Sequence, residues 1–372
     1  MKVLFVSDNH HDINLIKRIF ARGSHQLTLS ADAQEAEKLL ISVCYDVIIA
    51  AEQQPVMSGS TLLNKVQHCC PNAIRILVAE QGIECKAAHQ HFTTPLNPSF
   101  IIEVIESFAR SNSAITKKQI VSAVAGIKTL PSPPKVYMQL NSMLKDETTD
   151  SQKIAEVIIQ DPALVAKVLH FANSSAMSKG KQIKSIPDAI TKMGLDTLCC
   201  IVMTAELFAY EPDIEGFNLT EEQVHSLSVA KLAASIVKPE LKLDALLAGL
   251  LHDLGKIVLF EIDPKLTKQY FKLKFTSTDN SPLERKIFST DHCQIGGYLL
   301  HQWSFPYSII EAVVLHHSPD KLLRKSFGVA QAVYLANKLI KQQDINDKFI
   351  EHFKLDTVIE KLELRAKKLS MH

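Results

Sequence analysis

The sequence predicts a multidomain chain, with an α/β domain on a doubly wound parallel sheet followed by an all-α domain. Two observations carry that expectation. Short apolar runs at Val3–Val6, Val47–Ala51 and Ile74–Ala79 alternate with helix-like periods over the first 110 residues. This is the pattern of strands buried on both faces and joined by helical crossovers. Beyond Pro134 no strand pattern returns, and helix starts and stops follow one another to the C-terminus.

A length of 372 residues exceeds the range in which a single core keeps growing, so two domains, each burying its own core, are expected. Lys and Arg total 41 against 40 Asp and Glu, which leaves no net field to gather nucleic acid or to hold the chain on an anionic membrane. The apolar opening Met1–Val6 meets Asp8 and is too short for the core of a signal peptide. The richest later run, Ala245–Phe260, is broken by His252, Asp253 and Lys256, which reads as a buried helix rather than a membrane span. Seven cysteines, an odd number, show no CxxC spacing, and a reducing, cytoplasmic setting is expected.

The boundaries follow composition. Residues 1–110 form the α/β domain, 111–129 a linker and entry helix, 130–340 the helical domain, and 341–372 a helical tail. Residues 109–120 lose the strand signal, and Leu130-Pro131-Ser132-Pro133-Pro134 predicts an extended stretch. Asp161-Pro162 predicts a capped helix start, and Thr220–Gln223 and Ser281–Glu284 match capping boxes, so helices are expected to begin near 162, 221 and 282. Pro239, Pro264 and Pro319 are placed to stop helices. Residues 350–369 carry an amphipathic pattern read as one helix docked on its own domain.

The clearest chemical signal is His252-Asp253-Leu254-Gly255-Lys256. Neighbouring side chains on a helix point about 100° apart, so this pair can converge on one ion only if other helices bring ligands. His225 is expected on the preceding capped helix, His292 on the helix begun at Ser281, and His316-His317 at the end of the helix after Pro306. Glu221, one turn before His225, is a further candidate carboxylate or an orienting partner for that imidazole, and equally a negative first-turn residue. The other reading of the histidines is a buried polar network that satisfies itself. Trp303 reads as packing, and His10, His11, His89 and His91 as surface residues.

Taken together, His225–Ala230, the His252-Asp253 pair, His292 with Gly296, Trp303–Pro306 and His316-His317 resemble the HD superfamily. Leu130-Pro131, Asp161–Leu164, Ala172–Ser175, Ser185-Ile186 with Ala189-Ile190, and Met193-Gly194 resemble its HDOD branch. The resemblance implies a metal site at His225, His252, Asp253, His292, His316 and His317, with Glu221 as an addition, holding one or two divalent transition ions such as Fe, Mn or Ni. It implies Lys256 as a phosphate contact. Where HD enzymes close the site with an Ala-Asp pair, this chain has Ala336-Asn337.

Residues 3–95 resemble the receiver domain of two-component response regulators, with Pro55–Gly59 the best local match. The resemblance places Ser7 and Asp8 at the acid pair, Ala51 at the phosphoacceptor, Ala79 at the hydroxyl position and Thr94 at the lysine position. Aspartyl phosphorylation requires a carboxylate nucleophile and a hard cation on oxygen ligands, so the domain is expected to be phosphorylation-incompetent. A one-residue register shift, with Glu52 as acceptor, would not restore the other groups.

The functional expectation is a bacterial-type signal-transduction regulator without committed catalytic residues: a pseudo-receiver coupled to an HDOD output domain that acts on signalling proteins, or on a second copy of itself. The alternatives are a metal-dependent phosphohydrolase or phosphodiesterase and a non-hydrolytic nucleotide-binding regulator. Neither nucleic acid nor membrane is an expected partner.

Overall fold

The computed structural model describes residues 1–21, 25–80, 82, 83, 85–98, 101, 102, 104, 105, 108, 120, 135–144, 151–173, 183–207, 214–274, 279–323 and 326–370. Of the linker and entry helix at 111–129 only residue 120 is described, and the extended stretch at 130–134 lies outside the described residues. By contact the chain divides into two compact units, one of residues 1–117 with 297–311 and one of residues 118–296 with 312–372.

In the first unit, strands β1 (Lys2–Val6), β2 (Gln26–Ser30), β3 (Val47–Ala51), β4 (Ile74–Ala79) and β5 (Gln90–Thr93) form one sheet in the order β2-β1-β3-β4-β5. Every neighbouring pair is parallel. This is the receiver-like, doubly wound order, which reverses beside the first strand. The three predicted strands are the central ones, and β3 and β4 are buried throughout. The two strands without a sequence signal are edges: β2 and β5 expose part of their length and so lack a continuous apolar run.

The crossover helices α1 (His10–Phe20), α2 (Ala33–Ser42) and α3 (Gly59–Cys69) each start on a side-chain cap: Asn9, Asp32 and Ser58. Helix α3 begins almost against β3, since a Cβ on Gly59 would lie 2.3 Å from the Ala51 carbonyl oxygen. Ser60 donates from both its backbone N–H and its hydroxyl to Glu52 Oε2, at 2.8 and 2.6 Å. The carboxylate beside Ala51 is therefore committed to the helix N-terminus.

Arg75, the second residue of β4, is buried. Its guanidinium donates to the carbonyl oxygens of Ala87 and Ala73 and to Ser304 Oγ, and burial lowers its pKa to about 10. His89, read from the sequence as a surface residue, is 2% exposed. It accepts from the Arg75 backbone N–H at Nδ1 and donates from Nε2 to the His301 carbonyl, and its ring stacks on His301 at 4.3 Å. A histidine just before a polar four-residue edge strand carries no apolar signal for this burial. His10 and His11 are exposed and His91 is half-buried.

The second unit is helical. Helices α4 (Lys135–Leu144), α5 (Ser151–Ile159), α6 (Pro162–Ala172), α7 (Ile186–Met193) and α8 (Leu195–Leu207) form its first half. The site is built by α9 (Leu219–Ala234), α10 (Lys242–Leu251), α11 (Gly255–Leu259), α12 (Pro264–Leu273), α13 (Ser281–Phe288), α14 (His292–Gln302), α15 (Tyr307–Leu315) and α16 (Val329–Ile340). Two of these start slightly away from the expected caps. Asn218, not Thr220, caps α9 by accepting from Glu221 N–H, and Asn280 precedes α13 with no side-chain cap. Pro264 opens α12 behind the cap Asp263, and Pro239 and Pro319 open short 3₁₀ turns. Proline ends one helix and starts the next because its missing N–H is harmless in a first turn.

The tail is two helices, α17 (Asp347–Phe353) and α18 (Ile359–Ser370), rather than the expected one. Lys354 breaks it with a left-handed backbone, φ 54°. Helix α18 packs on α9 and α16, and Ser228 Oγ donates to the Leu369 carbonyl.

Candidate metal centre

The approach of two glycines to neighbouring backbone brings the site's helices together. On α10, a Cβ at Gly249 would lie 2.5 Å from Ala230 Cα on α9. At the start of α11, one at Gly255 would lie 1.9 Å from the His292 carbonyl oxygen. His252 and Asp253 occupy the turn between α10 and α11, not a continuous helix as expected: α10 ends at Leu251 with His252 as its C-cap. His292 likewise opens its own helix instead of continuing α13, which closes at Ser289 with φ 61°.

Asp253, 4% exposed, is central. Its Oδ2 lies 3.1 Å from His252 Nε2 and 3.8 Å from His225 Nε2, while Oδ1 lies 3.2 Å from His292 Nε2 and 3.6 Å from His316 Nε2. His317 stands beside them, its ring 4.2 Å from that of His316. The structure therefore brings together His225, His252, Asp253, His292, His316 and His317. Glu221 is exposed and receives a hydrogen bond from its own cap, Asn218. The acid that reaches inward is its neighbour Glu222, which accepts from Lys256 at 2.9 Å.

The ring orientations are set from behind. His252 donates from Nδ1 to the Gly249 carbonyl and His316 from Nδ1 to the Val313 carbonyl, each at 2.7 Å. His292 Nδ1 meets Glu284 Oε2 at 2.6 Å, and Tyr270 OH donates to the other oxygen of that carboxylate. With Nδ1–H committed, the three rings direct Nε2 toward the centre, an arrangement suited to metal ligation. His292 Nε2 and His316 Nε2 face each other at 3.2 Å. His252 Nε2, Asp253 Oδ1 and His317 Nδ1 are buried without a hydrogen-bond partner. Buried polar atoms are ordinarily paired, so these orphaned, converging groups fit a divalent cation.

Besides Glu222, Lys341 and Cys293 of the centre carried no signal in the sequence. Lys341, one turn beyond Asn337, places Nζ 3.6 Å from Asp253 Oδ2, and Lys256 places its own at 2.7 Å. Cys293, 4% exposed, sets Sγ 3.5 Å from His292 Nε2. Asn337 does face the site, accepting from His225 Nε2 at 3.1 Å.

Burial would raise the Asp253 pKa, but His252, Lys256 and Lys341 overcome it and hold the carboxyl well below its usual range. Burial, helped by His252 and His292, pulls His316 down to about 4 against the pull of Asp253. It also lowers His317, beside His316, and His225, beside Lys341, well below 6.5. His292 moves the other way, because Cys293 and Glu284 outweigh its burial. Burial pushes the Cys293 thiol up to about 11.

Residues 130–319 match the family model described as HDOD domain. A protein of Treponema pallidum (strain Nichols), described as uncharacterized, is 24% identical over 235 residues, 62% of this chain and 45% of that protein; the chain thus spans less than half of that relative. Among solved structures, a protein of Shewanella amazonensis SB2B named as a presumed phosphohydrolase superposes with a TM-score of 0.53 at 21% identity, covering 69% of this chain and 95% of its own. One of Marinobacter aquaeolei VT8 named as a presumed signal transduction protein gives 0.55 at 17% identity, covering 82% and 80%. At these identities the likeness concerns the fold. No described helix is long and apolar enough to cross a membrane.

Proposed function

Because the chain belongs to the HDOD family, we propose that it is a cytoplasmic signal-transduction regulator, in which a receiver domain that cannot be phosphorylated is coupled to an HDOD output domain acting through protein or ligand contacts. The observation that carries this reading is Ala51. It closes β3 at the carboxyl edge of the sheet, where doubly wound folds place their chemistry, and it offers a methyl group. The adjacent Glu52 is engaged by Ser60. Partners are then signalling proteins or a second copy of the chain.

The test is incubation of the full chain with an acyl phosphate and Mg²⁺, followed by intact mass measurement. No phosphate should be incorporated; a single acid-stable, base-labile phosphoryl group would overturn the reading.

In the HDOD domain the converging imidazoles and Asp253 support a divalent transition metal. His225, His252, Asp253, His292, His316 and His317 would hold it, with Glu284 fixing the orientation of His292. Such an ion, when bound, polarises a phosphoryl oxygen and acidifies water. This favours a second reading, a metal-dependent phosphohydrolase, with Lys256 and Lys341 supplying positive charge for a phosphate. The regulator is preferred because Lys256 is already paired with Asp253 and Glu222, and because the neutral Asn337 stands where HD enzymes have a carboxylate. A third reading, a nucleotide held without cleavage, uses the same lysines and would show as thermal stabilisation by that ligand.

A further inference from the structure

We propose that Cys293 is a thiolate ligand of the metal ion, in a four-residue set with His292, His316 and His317, and that the ion is a thiophilic one of the zinc class instead of the Fe, Mn or Ni suggested by the family resemblance. This rests on the metal-binding reading above, keeps its His292, His316 and His317, and puts Cys293 in place of His225, His252 and Asp253.

The four residues offer ligand atoms that all lie within 4.8 Å of one another. Tetrahedral zinc, with bonds of roughly 2.0–2.1 Å to nitrogen and 2.3 Å to sulfur, has ligand-to-ligand edges of about 3.3 Å for N–N and about 3.6 Å for S–N. The structure has 3.2 Å between His292 Nε2 and His316 Nε2 and 3.5 Å between Cys293 Sγ and His292 Nε2. The Sγ distance to His316 Nε2 is 3.9 Å. His317 Nδ1, on a side chain 9% exposed, is buried without a hydrogen-bond partner. The nearest carboxylate oxygen to it, on Asp279, is 3.6 Å away.

Charge separates this group from its neighbour. Beside His225, His252 and Asp253, the ammonium groups of Lys256 and Lys341 lie 2.7 and 3.6 Å from Asp253 Oδ2, so two cations already sit where an ion would bind. The ion pairs made by His292, His316 and His317 are with Asp253, Glu284 and Asp279, all anions. Lys341 also acts on His317, so on the Cys293 side a dication meets the carboxylates of Asp253, Glu284 and Asp279 with one lysine charge nearby instead of two in direct contact. Binding replaces the thiol proton by the metal: the S–H bond breaks, the S–metal bond forms, and the proton leaves to solvent with no change of oxidation state.

Cobalt(II) reconstitution of the metal-free full chain tests this. The expected result is tightly bound cobalt with visible tetrahedral bands and an intense sulfur-to-cobalt band in the near ultraviolet, and loss of that ultraviolet band in Cys293→Ser. Bound cobalt without the ultraviolet band, or with a band that persists in Cys293→Ser, overturns the thiolate and leaves the metal site standing. No bound cobalt removes both. Should the variant fail to fold, zinc X-ray absorption of the wild-type chain decides the same point: a sulfur shell near ~2.3 Å supports the ligand, and a shell of nitrogen and oxygen alone overturns it.

Discussion

At Asp253 Oδ2 two ammonium groups and an imidazole crowd one carboxylate oxygen, and the functional character of the site follows from such single-residue placements. Glu284 is one. Its charge holds His292 Nδ1–H in place at 2.6 Å, and outer partners of this kind typically affect metal affinity 10–100-fold. Glu284→Gln is expected to weaken metal binding by about that factor, read by competition with a chelator. His301 is another. Burial, with Arg75 beside it, lowers its pKa from 6.5 to about 4, and burial, His301 and Arg75 hold His89 well below its usual value. Below pH 6.5 the unfolded chain takes up protons that the folded unit refuses, so this stability is complete above 6.5 and lost as pH falls toward 4. For His301 the loss is roughly 3 kcal/mol. Thermal melts across that window should fall steeply for wild type and less so for His301→Gln; equal slopes would refute the assignment. The six candidate residues named from the resemblance converge because their spacing follows the helices. Lys341, Cys293 and Glu222 were not legible. Lys341 shares a face with Asn337 only if that helix is known to reach the site. Cys293 adjoins His292, and adjacent side chains diverge on a regular helix.

The elements are positioned by close backbone approach as much as by apolar faces. Gly255 allows α11 to touch the first turn of α14 and thereby sets His292 against Asp253. Gly255→Ala would put its Cβ 1.9 Å from the His292 carbonyl oxygen, and overpacking of this kind costs about 1–3 kcal/mol. The variant should lower the denaturant midpoint and lose metal together; loss of neither would show that α14 is free to move. This contact explains part of what the sequence hid. Composition marked Gly255 as one residue of a motif, whereas the reason for glycine there lies 37 residues away, in a different helix. Central strands were legible because burial on both faces leaves only apolar residues, and edge strands were not. Helix starts at 162, 219 and 281 followed the capping signals within two residues, since several polar side chains near each start compete for the same N–H groups. The break at Lys354 had no signal: a lysine takes left-handed backbone only where tertiary packing imposes it.

For the whole molecule, a receiver-order sheet with Ala51 at the end of β3 precedes an HDOD domain with a buried cluster of imidazoles around Asp253. On the proposed reading the chain is a regulator whose output domain would hold a metal ion, with Lys256 and Lys341 placed against Asp253. The most direct measurement is phosphodiester hydrolysis by the full chain, loaded in turn with zinc, manganese and iron, beside the His252→Ala/Asp253→Ala variant loaded in the same way. The expected result is bound metal without turnover above the variant. Turnover that depends on metal and disappears in the variant would contradict the regulator and establish the phosphohydrolase.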